Sequence, residues 1–265
     1  MHLAVAARTD TGRVRKGNED SLHADANAHR GIFIVADGMG GHAAGEIASE
    51  MAVQVVSKDL SDLNDLEIAS AQEQVAEALR DANRAVFQRT RKELEKTGMG
   101  TTVSALLLSD THYLIGHVGD SRIYLVRDGE MKQLTRDHSL VQEQVDAGLL
   151  TPDQARKHPQ SNVITRCVGM ADDIEPDVLE GEARMGDCFL LASDGLTGMV
   201  EDRRLQQLLL SRAAPARIVD ALISEANNNG GNDNITAIVV RVLPQEGTNN
   251  TDRDVTPIPP ARVDG

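Results

Sequence analysis

Ile32-Phe33-Ile34-Val35-Ala36-Asp37-Gly38-Met39-Gly40-Gly41-His42 is the stretch from which the rest of the chain is best read. Its first five residues are apolar, β-branched in part and too few for a helix, so they predict a buried strand. After the glycines, Ala44, Ile47, Ala48, Met51, Ala52 and Val55 recur at three and four residues. That spacing predicts an amphipathic helix from about Ala43 to Leu60. Ala71, Val75, Ala78, Leu79, Ala82 and Val86 predict a second, running to about Lys96. Short strands follow at 102–108, 113–118, 122–127 and 131–134, with Asp110-Thr111 and Asp128-Gly129 as turns. A polar, helical segment over 139–157 interrupts them, with Pro152 at a helix start. Strands resume at 178–182, 189–192 and 235–242, and helices near 202–210 and 215–227 lie between the last two. Runs of strands separated by paired helices predict layers of mainly antiparallel sheet with helices outside. From Pro244 the periodicity stops, and 244–265 reads as a disordered tail behind one domain over 1–243.

Composition narrows the function. The chain has 265 residues, with 41 Asp and Glu against 27 Lys and Arg, a net charge of -14. That field repels phosphate backbones and anionic lipid, so neither a nucleic acid nor a membrane is expected as partner. Three Phe, two Tyr and no Trp leave little for base stacking. The N-terminal MHLAVAARTDTGRVRK lacks the basic and long apolar regions of a signal peptide. The longest apolar runs are strand length and cannot span a bilayer. Cys167 and Cys188 sit among apolar neighbours outside any C-x-x-C motif and read as buried thiols. A soluble cytoplasmic protein is expected.

Several strand-like segments end in Asp: Asp37, Asp120 and Asp194. Asp233 leads into the last strand, and Glu19-Asp20 into an early one. One Asp-Gly is ordinarily a turn. Six carboxylates gathered on one sheet edge would instead repel, take up protons, or bind hard divalent cations. Gly38-x-Gly40-x-x-Ala43 imitates a dinucleotide-binding loop, but Asp37 would face the pyrophosphate and no parallel βαβ unit follows. Neither a G-x-x-x-x-G-K-[ST] loop nor H-E-x-x-H is present, and no C-x5-R loop surrounds either cysteine. His138 and His158 read as surface histidines.

Six pieces occur in order: Arg15-Lys16-Gly17-Asn18-Glu19-Asp20, Asp37-Gly38-Met39-Gly40-Gly41-His42, Gly100-Thr101-Thr102, Gly119-Asp120-Ser121-Arg122, Ser193-Asp194-Gly195 and Gly231-Asn232-Asp233-Asn234-Ile235-Thr236. Together they resemble the metal-dependent protein phosphatases of the PP2C (PPM) family, the small bacterial members in particular, from about Thr9 to Val242.

The resemblance implies an α+β fold, a four-layer α-β-β-α sandwich of two antiparallel sheets between helix pairs. It implies two Mn²⁺ or Mg²⁺ ions, with a third in bacterial members. Asp37 resembles the carboxylate that bridges two metals, with the Gly38 carbonyl beside it. Asp194 and Asp233 resemble ligands of one ion, and Glu19 and Asp20 ligands on the other side through water. Asp120 with Asp194 resembles the weaker third site. Arg15 resembles the phosphate-binding residue. The implied reaction is in-line hydrolysis of phosphoserine and phosphothreonine on proteins by a metal-activated hydroxide. His42 is the candidate general acid, although Met39 stands where eukaryotic members have histidine; His42 could equally cap the next helix. The segment 139–161 corresponds to the flap of bacterial relatives. The implied partners are phosphoprotein substrates and a cognate Ser/Thr kinase, and a monomer is expected. Two readings compete: a phospho-binding domain without turnover, and a hydrolase of small phosphate esters.

Overall fold

The fold was analysed in a computed structural model, which describes residues 1–27, 29–40 and 44–244. The expectation for the tail from 245 onward lies outside the described residues. Among the described residues, eleven strands form two antiparallel sheets. The first sheet contains β1 (His2–Asp10), β11 (Ile235–Leu243), β10 (Cys188–Ala192), β7 (Arg122–Arg127) and β8 (Glu130–Gln133), in that order. The second runs β2 (Asp20–Ala26), β3 (Arg30–Met39), β5 (Val103–Ser109), β6 (His112–Val118) and β9 (Asp177–Glu182), and the short β4 (Gly100–Thr101) pairs with the end of β3.

The strand residues sort by parity, because successive side chains point to opposite faces. On β3, Phe33 and Val35 enter the core between the sheets, where they join Phe189 and Leu191 of β10 and Ile238 and Val240 of β11. Ile32, Ile34 and Ala36 face the other way, onto α1 (Ala44–Asp59) and α2 (Ala71–Lys92). Leu190, Ala192, Ala237 and Val239 face α6 (Asp202–Leu209) and α7 (Pro215–Asn228). Both sheets are therefore covered on both faces, which is why their central strands read as apolar runs without alternation. The result is the four-layer α-β-β-α sandwich.

The 139–157 segment forms two helices, α3 (Leu140–Asp146) and α4 (Pro152–Arg156). Gly148, at φ +70°, breaks the pattern between them. Thr151 and Gln154 then form a reciprocal capping box ahead of α4, with Pro152 in its first turn. One four-residue helix, α5 (Asp194–Thr197), follows β10 directly. The sequence reading left β1 unassigned. Its nine residues pair along their whole length with β11, from His2 opposite Leu243 to Asp10 opposite Ile235.

Phe189 is fully buried between the sheets, edge-on to Tyr113 at 5.5 Å between ring centroids. Phe189→Ala is expected to cost about 3–5 kcal/mol, read as a lower urea midpoint at unchanged slope. A loss below about 1 kcal/mol would show that the two sheets do not depend on this core.

Candidate functional site

Antiparallel pairing brings the end of one strand beside the start of the next, and at one edge of the sandwich this collects acids from both sheets. Asp20, at the start of β2, stands opposite Asp37 near the end of β3. Asp194 follows β10 and Asp233 precedes β11. The turn Gly119-Asp120-Ser121 crosses from β6 in one sheet to β7 in the other. Asp20 and Asp120 are buried, whereas Asp37, Asp194, Asp233 and Glu19 are partly open to solvent.

Each acid is braced by its neighbours. Asp20 Oδ2 accepts from Thr236 Oγ1 at 2.6 Å and Ser193 Oγ at 2.8 Å. The Asp37 backbone is gripped by the Gly100-Thr101-Thr102 piece: its N–H donates to Thr102 Oγ1, and its carbonyl accepts from the Thr102 N–H and Thr101 Oγ1, all at 2.9 Å. Asn234, buried, accepts from the Glu19 N–H at 2.7 Å and donates to the Thr11 and Gly17 carbonyls. It thereby fastens the 11–19 loop to the start of β11. Arg15 Nη2 donates to Asp233 Oδ2 at 2.6 Å. At Gly38 the start of α1 crosses so closely that any Cβ would collide with the Gly45 and Glu19 carbonyl oxygens.

The sequence model described as Protein phosphatase 2C matches residues 12–238. The chain belongs to the protein phosphatase 2C family. It is 41% identical over 239 residues to the protein phosphatase PhpP of Streptococcus pneumoniae, covering 90% of this chain and 97% of that one. The serine/threonine phosphatase stp of Listeria innocua is 39% identical, covering 91% of this chain and 96% of that protein. Among solved structures, the catalytic domain of the serine/threonine protein phosphatase PstP in complex with two manganese ions superposes with a TM-score of 0.81 at 38% identity, covering 91% of this chain and 99% of that one.

The electrostatics of this PP2C site follow from crowding. Burial pushes the Asp20 carboxyl up to about 7, against the hydrogen bonds from Thr236 and Ser193 and with the charges of Asp194 and Asp233 adding. Burial also raises Asp37 well above the usual carboxylate range, reinforced by Asp20, Asp194, Asp120 and Asp233. Asp120 is raised by burial and by Asp194 and Asp137, with Arg122 opposing. Asp194 is raised by burial and Asp233, and moderated by a hydrogen bond with Asp37. Arg15 is held more firmly protonated, chiefly by its bond to Asp233.

Among the described residues no three His, Cys, Asp or Glu side chains are placed to hold one metal ion as they stand. Arg15 covers Asp233. The chemistry of the donors nevertheless suits a hard cation. All are oxygens, and Asp20 Oδ1 and Asp194 Oδ1 are buried with no hydrogen-bond partner. Taking up a dication at Asp233 requires the Arg15 contact to give way. A hollow of about 470 Å³ elsewhere on the surface is lined by Arg8, Arg13, Asp220 and Asn227 and by none of these acids.

His42 lies outside the described residues. His138, read from sequence as a surface residue, is buried at 3% exposure and bonded on both ring nitrogens. The reading also missed the bracing roles of Ser193, Thr236 and Asn234, although each stands within one of the motifs. Cys188 is buried; Cys167 is only partly so. Among the described residues no helix is long and apolar enough to cross a membrane.

Asp20 binds its proton more tightly folded than unfolded. Its contribution to stability is therefore present below about pH 4 and lost as pH rises through about 7. In chelator, the melting temperature of the protein is expected to fall between pH 5 and 8, and Asp20→Asn to flatten that slope. An equal slope in the variant would show that Asp20 does not titrate with folding.

Proposed function

We propose that the chain is a metal-dependent phosphatase that removes phosphate from phosphoserine and phosphothreonine on proteins. The observation that carries this is the gathering of five aspartates on one edge of the sandwich, with two buried carboxylate oxygens left unpartnered. No structural element needs such a cluster for stability. The relatives, serine/threonine and protein phosphatases, support the substrate class, and the manganese-bound PstP domain supports the metal.

Asp37 and the Gly38 carbonyl beside it would contribute to holding two cations. Asp194 and Asp233 would serve one, Glu19 and Asp20 the other, and Asp120 with Asp194 a third, weaker one. Two bound dications supply charge that acidifies water and neutralises phosphoryl oxygens. The side chains do the rest. Ser193 and Thr236 fix the Asp20 oxygen that is not free. Thr101 and Thr102 keep Asp37 in register through its backbone. Arg15, its guanidinium half exposed, can exchange Asp233 for the substrate phosphate, where a planar cation donates two parallel hydrogen bonds.

The 139–161 segment governs which phosphoproteins reach the site; Arg156 in α4 donates to the Thr197 and Val200 carbonyls, just beyond Asp194. The phosphoproteins it meets are products of a Ser/Thr kinase. The chain works as a monomer, in the cytoplasm, where its two free thiols stay reduced.

Phosphate release from a phosphothreonine peptide is expected with Mn²⁺ and not with EDTA. Asp194→Ala should lower kcat by more than about a hundredfold while the protein stays folded. Metal-independent release, or release undiminished in the variant, would sink the reading. Arg15→Ala should raise KM roughly tenfold, and Arg15→Lys should recover only part of it. An unchanged KM in both variants would remove Arg15 from phosphate binding.

A further inference from the structure

His138 stands at the root of the 139–161 segment, and no step of the function above uses it. Its ring is clamped on both sides. The Gly119 N–H donates to Nδ1 at 3.0 Å, and Nε2 lies 3.1 Å from Asp177 Oδ2. A backbone N–H can only donate, so Nδ1 carries no proton and Nε2–H donates to Asp177. Asp177, at the start of β9, receives Arg166 Nη1 on its other oxygen at 3.0 Å. The main chain doubles the connection: the His138 N–H donates to the Gly119 carbonyl, and the Thr165 N–H to the His138 carbonyl, both at 2.8 Å. The chain of contacts thus runs from Arg166, past the far end of the segment, through Asp177 and His138 to Gly119. Asp120 is the next residue.

Position 119 requires glycine. Its φ is +113°, and a Cβ there would strike the Thr102 side chain. On the far side, the His117 ring packs against His138 at 4.8 Å between centroids. The Val118–Gly119 peptide is therefore oriented by the bond of the Gly119 N–H to the His138 ring, and the Gly119–Asp120 peptide by the His138 N–H on the Gly119 carbonyl, so His138 holds both peptides that lead into Asp120.

We propose that His138 is a positioning residue for Asp120: through the Gly119 N–H it sets how well the Asp120–Asp194 side of the site takes a third divalent cation. This rests on the metal-dependent reading above. Asp177 fixes the ring proton on Nε2, as carboxylates do for metal-site histidines. It differs in acting through a backbone peptide one residue from the ligand.

The test is calorimetric titration of the metal-stripped full chain with Mn²⁺. His138→Gln places a donor near Asp177 but leaves the Gly119 N–H without an acceptor. His138→Asn keeps an acceptor near Nδ1 and loses Asp177. His138→Gln is expected to weaken the weakest Mn²⁺ site about tenfold or more, with the tighter two within about twofold of wild type. His138→Asn should stay within about threefold at all sites. Asp177→Ala, a half-exposed position at a sheet edge, should weaken the same site and abolish the single Nε2–H tautomer in the ring ¹⁵N spectrum. The proposal is overturned if His138→Gln titrates like wild type, if all sites weaken together, or if the two His138 variants behave alike. Should His138→Gln fail to fold, an unchanged weakest site and tautomer in Asp177→Ala overturn it. A wild-type chain that binds two ions and no third overturns this proposal alone; one that binds none overturns the reading of the site itself.

Discussion

Carboxylates crowded out of water govern this molecule. Asp20, Asp37, Asp120 and Asp194 each lose hydration on folding, and each feels at least one other across the same small volume. Removing a carboxylate from water costs several kcal/mol. A hydrogen bond to a charged group returns only about 1.5–3 kcal/mol. The braces seen here, Ser193 and Thr236 on Asp20 and Arg122 near Asp120, offset part of that cost and leave two oxygens bare. Protons lodged on the acids are one way to relieve the remainder. Divalent cations are another, and the only one that turns the unfavourable charge to chemical use.

A rigid frame is needed to keep such a cluster together against its own repulsion. The antiparallel sandwich provides one, since three apolar layers fix every strand whose end carries an acid. The acids sit at or within a residue or two of strand ends, not on long loops, so their backbones inherit the precision of the ladders. Polar staples finish the task at the one junction the ladders do not reach. Asn234 fastens the 11–19 loop, which carries Arg15 and Glu19, to the start of β11.

Which parts were legible in the sequence follows from how each is buried. Strands covered on both faces, such as 32–36 and 235–242, announce themselves as apolar runs. β1 does not, because it lies at a sheet edge with only Leu3 of its residues buried. The acids were legible through the repeated pairing of a strand end with Asp and Gly. Their braces were not: a serine or threonine beside a strand has many uses, and only the register places Ser193 and Thr236 on the same oxygen of Asp20. His138 was misread for a similar reason. Between Asp137 and Ser139 it looks like surface, and its burial comes from the Gly119 turn and the start of β9, which lie 19 and 39 residues away.

The 139–161 segment and its root meet the frame of the site at three places. His138 reaches Gly119 beside Asp120. Val168 pairs with Thr101, whose hydroxyl holds the Asp37 carbonyl. Arg156 holds the Thr197 and Val200 carbonyls next to the helix that Asp194 begins. The sandwich core cannot shift to absorb a displacement of that root, because its layers are close-packed. On the function proposed above, a phosphoprotein that pressed on the segment and a cation at Asp120 would act on the same few peptides. If binding of either alters the other, the effect is reciprocal by linkage.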